Sequence, residues 1–270
     1  APKNGSVGPH YDYYDVFLLQ AQGKRRWLTG QHCDERSKTL DNTPLRILEE
    51  FETENEWVLE PGDMLYLPPQ IAHHGISMGD CITLSIGLRS PTHEQVLTSF
   101  TDYICNIAVK ELHLDDPNLK LQENPGEMNA DVISQLKSVI QGYIKEDSLA
   151  GWFGQYSTEP KSDYIVQLPE EPIEESELMD YLANADSLRW NEGSRFSYYQ
   201  TEENPDQIKF FYDGYEQLLG ADCVYLVKLI CSANDIPITV VRPLLSAGKP
   251  TNLLLDLING GHLYAEDGQT

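Results

Sequence analysis

The side chains best suited to chemistry are a histidine and an aspartate near the start of the chain and a pair of histidines further along it. His10 and Asp12 stand two positions apart, directly before an apolar run. In an extended segment, residues two apart point to the same side, so both side chains can reach one metal ion. The segment "PGDMLYLPPQIAHHG" at 61–75 supplies a further imidazole, from His73 or His74. Two imidazoles and one carboxylate make a facial triad, which leaves positions open on Fe(II) for a co-substrate and O2.

Each of these segments also has an ordinary structural explanation. Most H-x-D sequences are polar surface pairs, and a histidine that follows a strand can simply cap its end. Because neighbouring residues of a strand face opposite ways, only one of His73 and His74 can be a ligand. The two segments together favour a metal site more strongly than either does alone. Pro68-Pro69 would also hold the following histidine on a stiffened backbone, with little ordering entropy lost on binding.

The elements that must position these residues are strands. Residues 1–90 contain short apolar runs separated by Pro, Gly and Asp, a pattern that predicts a sandwich or barrel. We expect His10 and Asp12 to lie on a strand, and we expect a hairpin at the turn that contains Gly23. A later strand is expected at 82–86, with two hydroxyl side chains on one face.

Beyond residue 90 the hydrophobic period becomes helical, and helices are expected near 96–109, 131–144 and 149–156. Their apolar stripes are typical of a core or a subunit interface. The stretch 158–176 is rich in Pro and Glu and is typical of a linker. The helices and strands expected after it follow the order of a small winged-helix unit. The predicted domains are 1–90, 91–160 and 161–270.

The charge balance limits the partners that this protein can have. Its 270 residues include 19 Lys and Arg against 43 Asp and Glu, a formal net charge of −24. Such a surface argues against nucleic-acid binding, and the expected winged helix lacks a basic recognition helix. It suits a basic protein partner, although the same charge could serve solubility alone. No window approaches the roughly 20 apolar residues of a membrane span, so no membrane association is expected.

The cysteines indicate the compartment. There are five of them, widely spread and without a C-x-x-C pair. This argues against a disulfide framework or a structural zinc site and suits a reducing compartment, so a cytoplasmic location is expected. The chain opens with Ala1, close to the first motif. We expect that an N-terminal part is missing, which leaves a targeting segment open.

The two candidate segments resemble the paired metal motifs of the cupin or double-stranded β-helix fold, specifically those of the JmjC-type Fe(II)/2-oxoglutarate oxygenases. Within these, "HYDYYDVFLLQAQGKRRW" at 10–27 and "PGDMLYLPPQIAHHG" closely resemble the bacterial ribosomal oxygenases. Those are relatives of a ribosomal-protein arginyl hydroxylase and of eukaryotic ribosomal histidyl hydroxylases. The resemblance covers the whole chain. It implies a mixed β and α fold, with a JmjC β-helix lacking its first strands, a helical dimerisation region and a C-terminal winged-helix-like domain.

The resemblance also assigns roles to residues. It implies that His10, Asp12 and His73 are the iron ligands, because His73 fits the spacing Pro-Pro-x-x-x-His of the family. In the basic run at 24–26 it points to Arg25 as the anchor of the distal carboxylate of 2-oxoglutarate, and an arginine fork can bind both carboxylate oxygens. The ordinary alternative for such a run is a solvated strand edge. Two hydroxyl side chains of the expected later strand, those of Thr83 and Ser85, could contact the co-substrate or simply bond to backbone.

The function that the resemblance implies is hydroxylation of a protein side chain, an arginine of a large-subunit ribosomal protein, with Fe(II), 2-oxoglutarate and O2. The protein would act as a homodimer on a basic ribosomal protein. A histidyl or other protein hydroxylase of the same chemistry remains an alternative. A third hypothesis is a catalytically silent cupin that serves as a binding module. Such a module would be expected to lose a metal ligand or the basic anchor, and all four side chains are present here.

Overall fold

The computed structural model describes residues 1–41, 43, 45–114, 121, 123–160, 168–169, 171–183, 185–245 and 248–266. The chain divides into two units, Ala1–Glu94 and Gln95–Thr270. Among the residues described, no helix combines the length and the apolar character that crossing a membrane requires.

The first unit consists of strands that form two antiparallel sheets. The strands are β1 (Asp15–Gln22), β2 (Arg25–His32), β3 (Thr53–Leu59), β4 (Met64–Leu67), β5 (Ile71–Ser77) and β6 (Ile82–Leu88). One sheet has the order β4-β1-β6 and the other β3-β2-β5, so the chain passes repeatedly from one sheet to the other. Alternate residues of each strand face the partner sheet, and these positions hold the buried apolar cluster Val16, Leu18, Trp27, Leu59 and Leu67. This is the double-stranded β-helix that the sequence predicts.

The turn at Gly23 is a crossover, and the predicted hairpin is wrong. Gly23 has a φ of 65°, in the left-handed region that favours glycine. The strands on either side of it do not pair: β1 pairs with β4 and β6, whereas β2 pairs with β3 and β5. A turn residue specifies that the chain changes direction, but it does not specify which strand becomes the partner.

The outer face of the β4-β1-β6 sheet is apolar and exposed. Leu84 and Ile86 of β6 stand opposite Leu19 and Phe17 of β1. The residues of β4 and β6 on this face are between 47% and 58% exposed: Met64, Tyr66, Ile82, Leu84, Ile86 and Leu88. The inner face of the same sheet is polar where it meets the candidate site, because Thr83 and Ser85 alternate with these apolar residues.

The second unit begins with three longer helices and continues as an α+β domain. Its elements are α1 (His93–Ile107, which starts in the first unit), α2 (Ala130–Tyr143), α3 (Glu146–Thr158), α4 (Leu178–Tyr181), β7 (Ser187–Trp190), β8 (Phe196–Tyr199), β9 (Gln207–Tyr212), β10 (Tyr215–Gly220), α5 (Ala221–Ile230), β11 (Asp235–Pro237), α6 (Ile238–Val241), α7 (Lys249–Asn259) and β12 (Leu263–Glu266). Its sheets have the orders β10-β9-β8 and β11-β7-β12. The predicted linker at 158–176 falls partly outside the described residues.

The sequence contains a signal for β10 that the prediction did not use. Asp213 and Gly214 join β9 to β10 with φ values of 47° and 87°. Two successive positive φ values are what a two-residue type I′ hairpin turn needs, and Asp-Gly is a preferred pair for it. The dipeptide, placed after the apolar run at 207–212, therefore predicts the second strand of this hairpin.

A buried Ser-His-Asp cluster lies near the end of this domain, and its geometry is structural. Asp213 accepts hydrogen bonds from His262 Nδ1 at 2.6 Å, from Ser194 Oγ at 2.8 Å and from the backbone N–H of Arg195 at 2.8 Å. Burial raises the pKa of Asp213, but the hydrogen bond from His262 and those from Arg195 and Ser194 bring it below the usual value overall. Ser194 and His262 both bond to the carboxylate, so the cluster ties the segments at 194 and 262, the latter directly before β12, to the 213–214 turn.

Helix α3 packs closely against β9, and this contact yields a stability prediction. Gly154 is buried, and a Cβ at that position would overlap the ring of Phe211. Gly154→Ala should lower the free energy of unfolding by about 1–3 kcal/mol, the usual range for overpacking a core. Gly142 in α2 is the matched control, because a Cβ there has no neighbour within 4 Å.

Gly142→Ala should be neutral or stabilise the protein by up to about 1 kcal/mol through helix propensity. Urea unfolding of the two variants, followed by circular dichroism, measures the difference. Equal stability of the two variants would contradict the importance of the α3–β9 contact.

Candidate metal centre

The backbone brings His10 and His73 side by side. His10 donates its N–H to the carbonyl of His73 at 3.0 Å, and His73 donates to the carbonyl of His10 at 2.8 Å. The carbonyl of Asp12 accepts from the N–H of Gln70 at 2.7 Å, so the proline-led segment before β5 also holds the aspartate. His10 forms this isolated antiparallel bridge ahead of β1. The expectation that His10 and Asp12 lie on a regular strand is therefore wrong, since β1 begins only at Asp15.

The side chains of His10, Asp12 and His73 converge. Each offers a ligand atom, and these atoms all lie within 4.8 Å of one another. His73 Nε2 is 3.7 Å from Asp12 Oδ2, and the two imidazole ring centroids are 4.3 Å apart in an edge-to-face arrangement. His73 is only 3% exposed, whereas the other two are partly accessible.

Hydrogen bonds orient both imidazoles for metal binding. His10 Nδ1 lies 2.9 Å from the carbonyl oxygen of Gly8, and His73 Nδ1 lies 3.0 Å from that of Ile71. A carbonyl oxygen only accepts, so each Nδ1 carries the hydrogen and each neutral ring keeps its Nε2 lone pair. This use of the second ring nitrogen is the usual way in which proteins fix metal-binding histidines. Burial, and secondarily the neighbouring His10, lower the pKa of His73, which favours the neutral form that a metal requires.

His74 does not belong to this group. It lies on the other side of β5, where its Nε2 is 2.8 Å from Ser6 Oγ and its ring contacts Phe51 edge-on. The alternation of side chains along a strand therefore separates the two adjacent histidines, and only His73 faces His10 and Asp12.

A cavity of about 230 Å³ opens between the two sheets at this point. Every site residue that the sequence singles out lines it: His10, Asp12, Arg25, His73, Thr83 and Ser85. The other members of the basic run have partners elsewhere. Lys24 pairs with Glu60 at 2.5 Å, and Arg26 pairs with Glu56 at 2.9 Å. Within the run, Arg25 is thus the residue placed in the cavity.

Two cavity residues that sequence reasoning missed hold Arg25 in place. One terminal nitrogen of Arg25 donates to the carbonyl of Gly75 at 3.1 Å, and its guanidinium carbon lies 5.1 Å from the ring centroid of Trp27. A Cβ on Gly75 would come within 2.6 Å of Arg25 Nε and 2.7 Å of the Trp27 ring. Position 75 therefore needs a glycine. The alternation along β2 was the available signal, because it places Arg25 and Trp27 on one face.

Gln20 determines what the hydroxyl of Thr83 can do. Gln20 is completely buried, and its Nε2 donates to the carbonyls of Gln22 at 2.8 Å and Gly23 at 3.2 Å. Its Oε1 is therefore the acceptor for the Thr83 hydroxyl, at 2.7 Å. Towards the cavity, Thr83 consequently presents oxygen lone pairs and not a free hydrogen.

Two family models match this chain. Residues 1–96 match the JmjC domain, and residues 131–264 match the ROXA-like winged helix. The first match covers the β-helix, and the second covers helices α2 and α3 together with the C-terminal α+β domain. They confirm the predicted fold class at both ends of the chain.

Two curated relatives are named as a ribosomal protein hydroxylase and a ribosomal oxygenase, and a third as a demethylase and histidyl-hydroxylase. The ribosomal protein uL16 3-hydroxylase of Escherichia coli K12 is 29% identical over 191 residues, which are 68% of this chain and 49% of that protein. A probable ribosomal oxygenase of Haemophilus influenzae is 41% identical over 124 residues, 46% of this chain and 29% of its own length. A Drosophila persimilis protein named as a bifunctional lysine-specific demethylase and histidyl-hydroxylase is 32% identical over 114 residues, 41% of this chain and 16% of its own. The chain thus spans half or less of the length of these relatives.

Solved structures share the fold. An X-ray structure of YcfD from E. coli aligns with 97% of this chain and 68% of its own, with a TM-score of 0.82 at 24% identity. Another structure of YcfD is described as a ribosomal oxygenase in complex with cobalt and 2-oxoglutarate. The alignment covers 96% of this chain and 66% of that one, with a TM-score of 0.76 at 23% identity. The chain is therefore similar to JmjC-domain proteins over residues 1–96 and to the ROXA-like winged helix over residues 131–264, and two of the relatives above are named as ribosomal oxygenases or hydroxylases.

Proposed function

We propose that this protein is an Fe(II)/2-oxoglutarate-dependent oxygenase that hydroxylates a side chain of a ribosomal protein. The observation that carries the proposal is the arrangement within the cavity. Two histidines with available Nε2 atoms and one carboxylate stand together, and Arg25 lies in the same cavity. A dicarboxylate that chelates a metal with one end needs the metal ligands for that end and a cation such as Arg25 for the carboxylate at its other end.

The donor set fits iron. Two neutral imidazoles and one carboxylate, with room beside them, are the ligands of non-haem Fe(II) oxygenases. We assign the metal to His10, Asp12 and His73. Fe(II), when bound, supplies the oxidation by O2 in which 2-oxoglutarate yields succinate and CO2 and the substrate gains a hydroxyl group.

The protein residues bind, orient and exclude water. Arg25, stacked on Trp27 and bonded to Gly75, is proposed to hold the distal carboxylate of 2-oxoglutarate. Apolar side chains from β1, Val16 and Leu18, form part of the cavity wall and limit the entry of water. Thr83 and Ser85 are proposed to contact the co-substrate from β6. Because Thr83 donates its hydroxyl hydrogen to Gln20 and 2-oxoglutarate offers only acceptors, the contact proposed for Thr83 is one of packing and not a hydrogen bond.

The proposed substrate is an arginine of a large-subunit ribosomal protein. The formal charge of −24 supports a basic protein partner, because opposite charges accelerate encounter. The relatives' names support the ribosomal class. The second candidate is a histidyl hydroxylase of the same chemistry, and the Drosophila relative named for that activity favours it. The silent-cupin alternative is not favoured, since the triad and Arg25 share one cavity.

Mass spectrometry tests the proposal. The protein is incubated in air with separated ribosomal proteins, Fe(II) and 2-oxoglutarate, and tryptic peptides are searched for a single added oxygen. We expect one modified peptide, and fragmentation distinguishes arginine from histidine. A reaction without 2-oxoglutarate is the control. If 2-oxoglutarate fails to bind and no peptide gains oxygen, the oxygenase proposal is wrong.

We further propose that the helical region mediates a homodimer. No side chain of α1 or α2 is buried, although both helices carry apolar residues on one face. In α2, Ile133, Leu136 and Ile140 are 51%, 43% and 61% exposed at helical spacing. Obligate dimer interfaces are apolar in this way, and a second copy would remove these side chains from water.

The protein should sediment as a dimer at micromolar concentration. Leu136→Glu together with Ile140→Glu should convert it to a monomer, because buried carboxylates without partners disfavour association. Ser138→Glu, on another face of the same helix, should leave the dimer intact. Analytical ultracentrifugation distinguishes these states. A wild-type monomer would refute the proposal.

A further inference from the structure

Trp27 lies between the two functional parts of the cavity. In the pairing of β2 with β5, Trp27 stands opposite Gly75, with Arg25 two residues to one side and Thr29, opposite His73, two residues to the other. The guanidinium carbon of Arg25 is 5.1 Å from the indole centroid, and the ring centroid of His73 is 6.1 Å from it. A molecule that reaches from the triad to Arg25 must therefore pass the indole.

The indole N–H of Trp27 lacks an acceptor. Trp27 is 5% exposed, and its Nε1 is buried with no hydrogen-bond partner among the described residues. Two other tryptophans are satisfied: Trp152 donates to Ser99 Oγ at 3.1 Å and Trp190 donates to the carbonyl of Ile230 at 2.9 Å. A buried donor without an acceptor is destabilising and uncommon in folded proteins. The tryptophan with the unsatisfied N–H, Trp27, is the one that lines the cavity of the proposed active site.

The neighbouring polar groups indicate which kind of acceptor could bond to the indole N–H of Trp27. Arg25 Nε is likewise buried without a partner among the described residues, so a second unsatisfied donor belongs to a residue that lines the same cavity. The hydroxyl of Thr83 already donates to Gln20 and cannot serve a second acceptor with the same hydrogen. A carboxylate, which has two oxygens with about four lone-pair sites and a charge opposite to that of Arg25, can accept from both Arg25 and Trp27.

We propose that the indole N–H of Trp27 donates a hydrogen bond to the same carboxylate of 2-oxoglutarate that Arg25 anchors. The inference rests on the proposed function and adds a second donor to its co-substrate site. Trp27 would then select for a dicarboxylate: a 2-oxo acid that lacks the distal carboxylate would leave both donors without an acceptor. Gly75 supports this role, because a larger residue at position 75 would displace the Trp27 ring from its place in the cavity.

The matched substitutions are Trp27→Phe and Trp57→Phe. Phenylalanine keeps an aromatic ring against Arg25 but removes the N–H. Trp57 stands directly opposite Trp27 on β3, is 41% exposed and does not line the cavity. With Mn(II) in place of iron and without O2, calorimetry measures 2-oxoglutarate binding in the absence of turnover. Trp27→Phe should bind roughly tenfold or more weakly, as expected for loss of a hydrogen bond to a charged group, and Trp57→Phe should bind like the wild type.

A second measurement does not depend on a variant. In the wild-type protein with Zn(II), the 15N-labelled indole signal of Trp27 should move on addition of 2-oxoglutarate and exchange more slowly with water. The signals of Trp152 and Trp190 should stay in place because their N–H groups are already bonded. This readout decides the question even if Trp27→Phe does not fold.

The outcomes separate the inference from the function on which it rests. If 2-oxoglutarate does not bind to the wild-type protein, the proposed function is wrong and the inference is wrong with it. If it binds, and Arg25→Ala weakens binding while Trp27→Phe does not and the Trp27 signal is unmoved, the co-substrate site stands and the role of Trp27 is overturned.

Discussion

His73→Ala should abolish metal binding and 2-oxoglutarate turnover, whereas His74→Ala should leave both nearly unchanged. The two residues are adjacent, but His73 faces His10 and Asp12 while His74 bonds to Ser6 on the other side of the strand. Loss of a residue that merely orients a ligand already weakens metal binding about 10- to 100-fold. Loss of a ligand itself should exceed that range.

Cobalt titration followed by visible absorbance measures metal binding directly, and succinate formation measures turnover. Because His73 is only 3% exposed, His73→Ala could also perturb the fold. Asp12→Asn gives an independent test, since it keeps the shape of a partly accessible side chain and removes its charge. Both variants should melt cooperatively and fail to bind cobalt. Normal cobalt binding by either folded variant would contradict the assignment.

Arg25→Ala should raise the 2-oxoglutarate concentration needed for half-maximal activity by well over tenfold. Truncating one partner of a buried charged pair weakens binding by about 2–5 kcal/mol. Arg26→Ala is the matched control, because Arg26 lies next in sequence but pairs with Glu56 at 2.9 Å. An exposed pair of this kind contributes about 0–1 kcal/mol, so its loss should have little effect on co-substrate binding.

Steady-state kinetics with 2-oxoglutarate as the varied component, supported by calorimetry with Mn(II), measures the effect of both arginine substitutions. We expect Arg25→Ala to raise KM far more than it lowers kcat at saturation. The opposite pattern, a large effect of Arg26→Ala and a small one of Arg25→Ala, would transfer the anchoring role to Arg26.

The convergence of His10, Asp12 and His73 could be anticipated, because residue type and spacing singled out the two segments and the family resemblance chose His73 over His74. Two residues at i and i+2, and a histidine at a fixed distance from a proline pair, need only local order to become recognisable. The detail was less predictable: His10 and Asp12 lie in a bridge before β1 and not on a strand. An isolated bridge is made by the partner segment, here the backbone of His73, and the residues themselves give no sign of it.

The pairing of the strands and the contacts that follow from it could not be predicted. The Gly23 turn marks a change of direction, yet the strands that it joins belong to different sheets. Whether the Thr83 hydroxyl is free depends on Gln20, 63 positions away in the chain. The orphaned N–H of Trp27 likewise becomes visible only when its surroundings are known. Such features depend on the register between strands, which alternation within one strand does not determine.

The apolar outer face of the β4-β1-β6 sheet has a thermodynamic consequence. The heat-capacity increase on unfolding and the denaturant m-value both scale with the surface that unfolding transfers to water. Leu84, Ile86 and Met64 are already about half exposed in the folded chain, at 49%, 47% and 58%. They contribute correspondingly little to either quantity. The stability curve of this chain should therefore be flatter, and its denaturant transition broader, than its length alone implies.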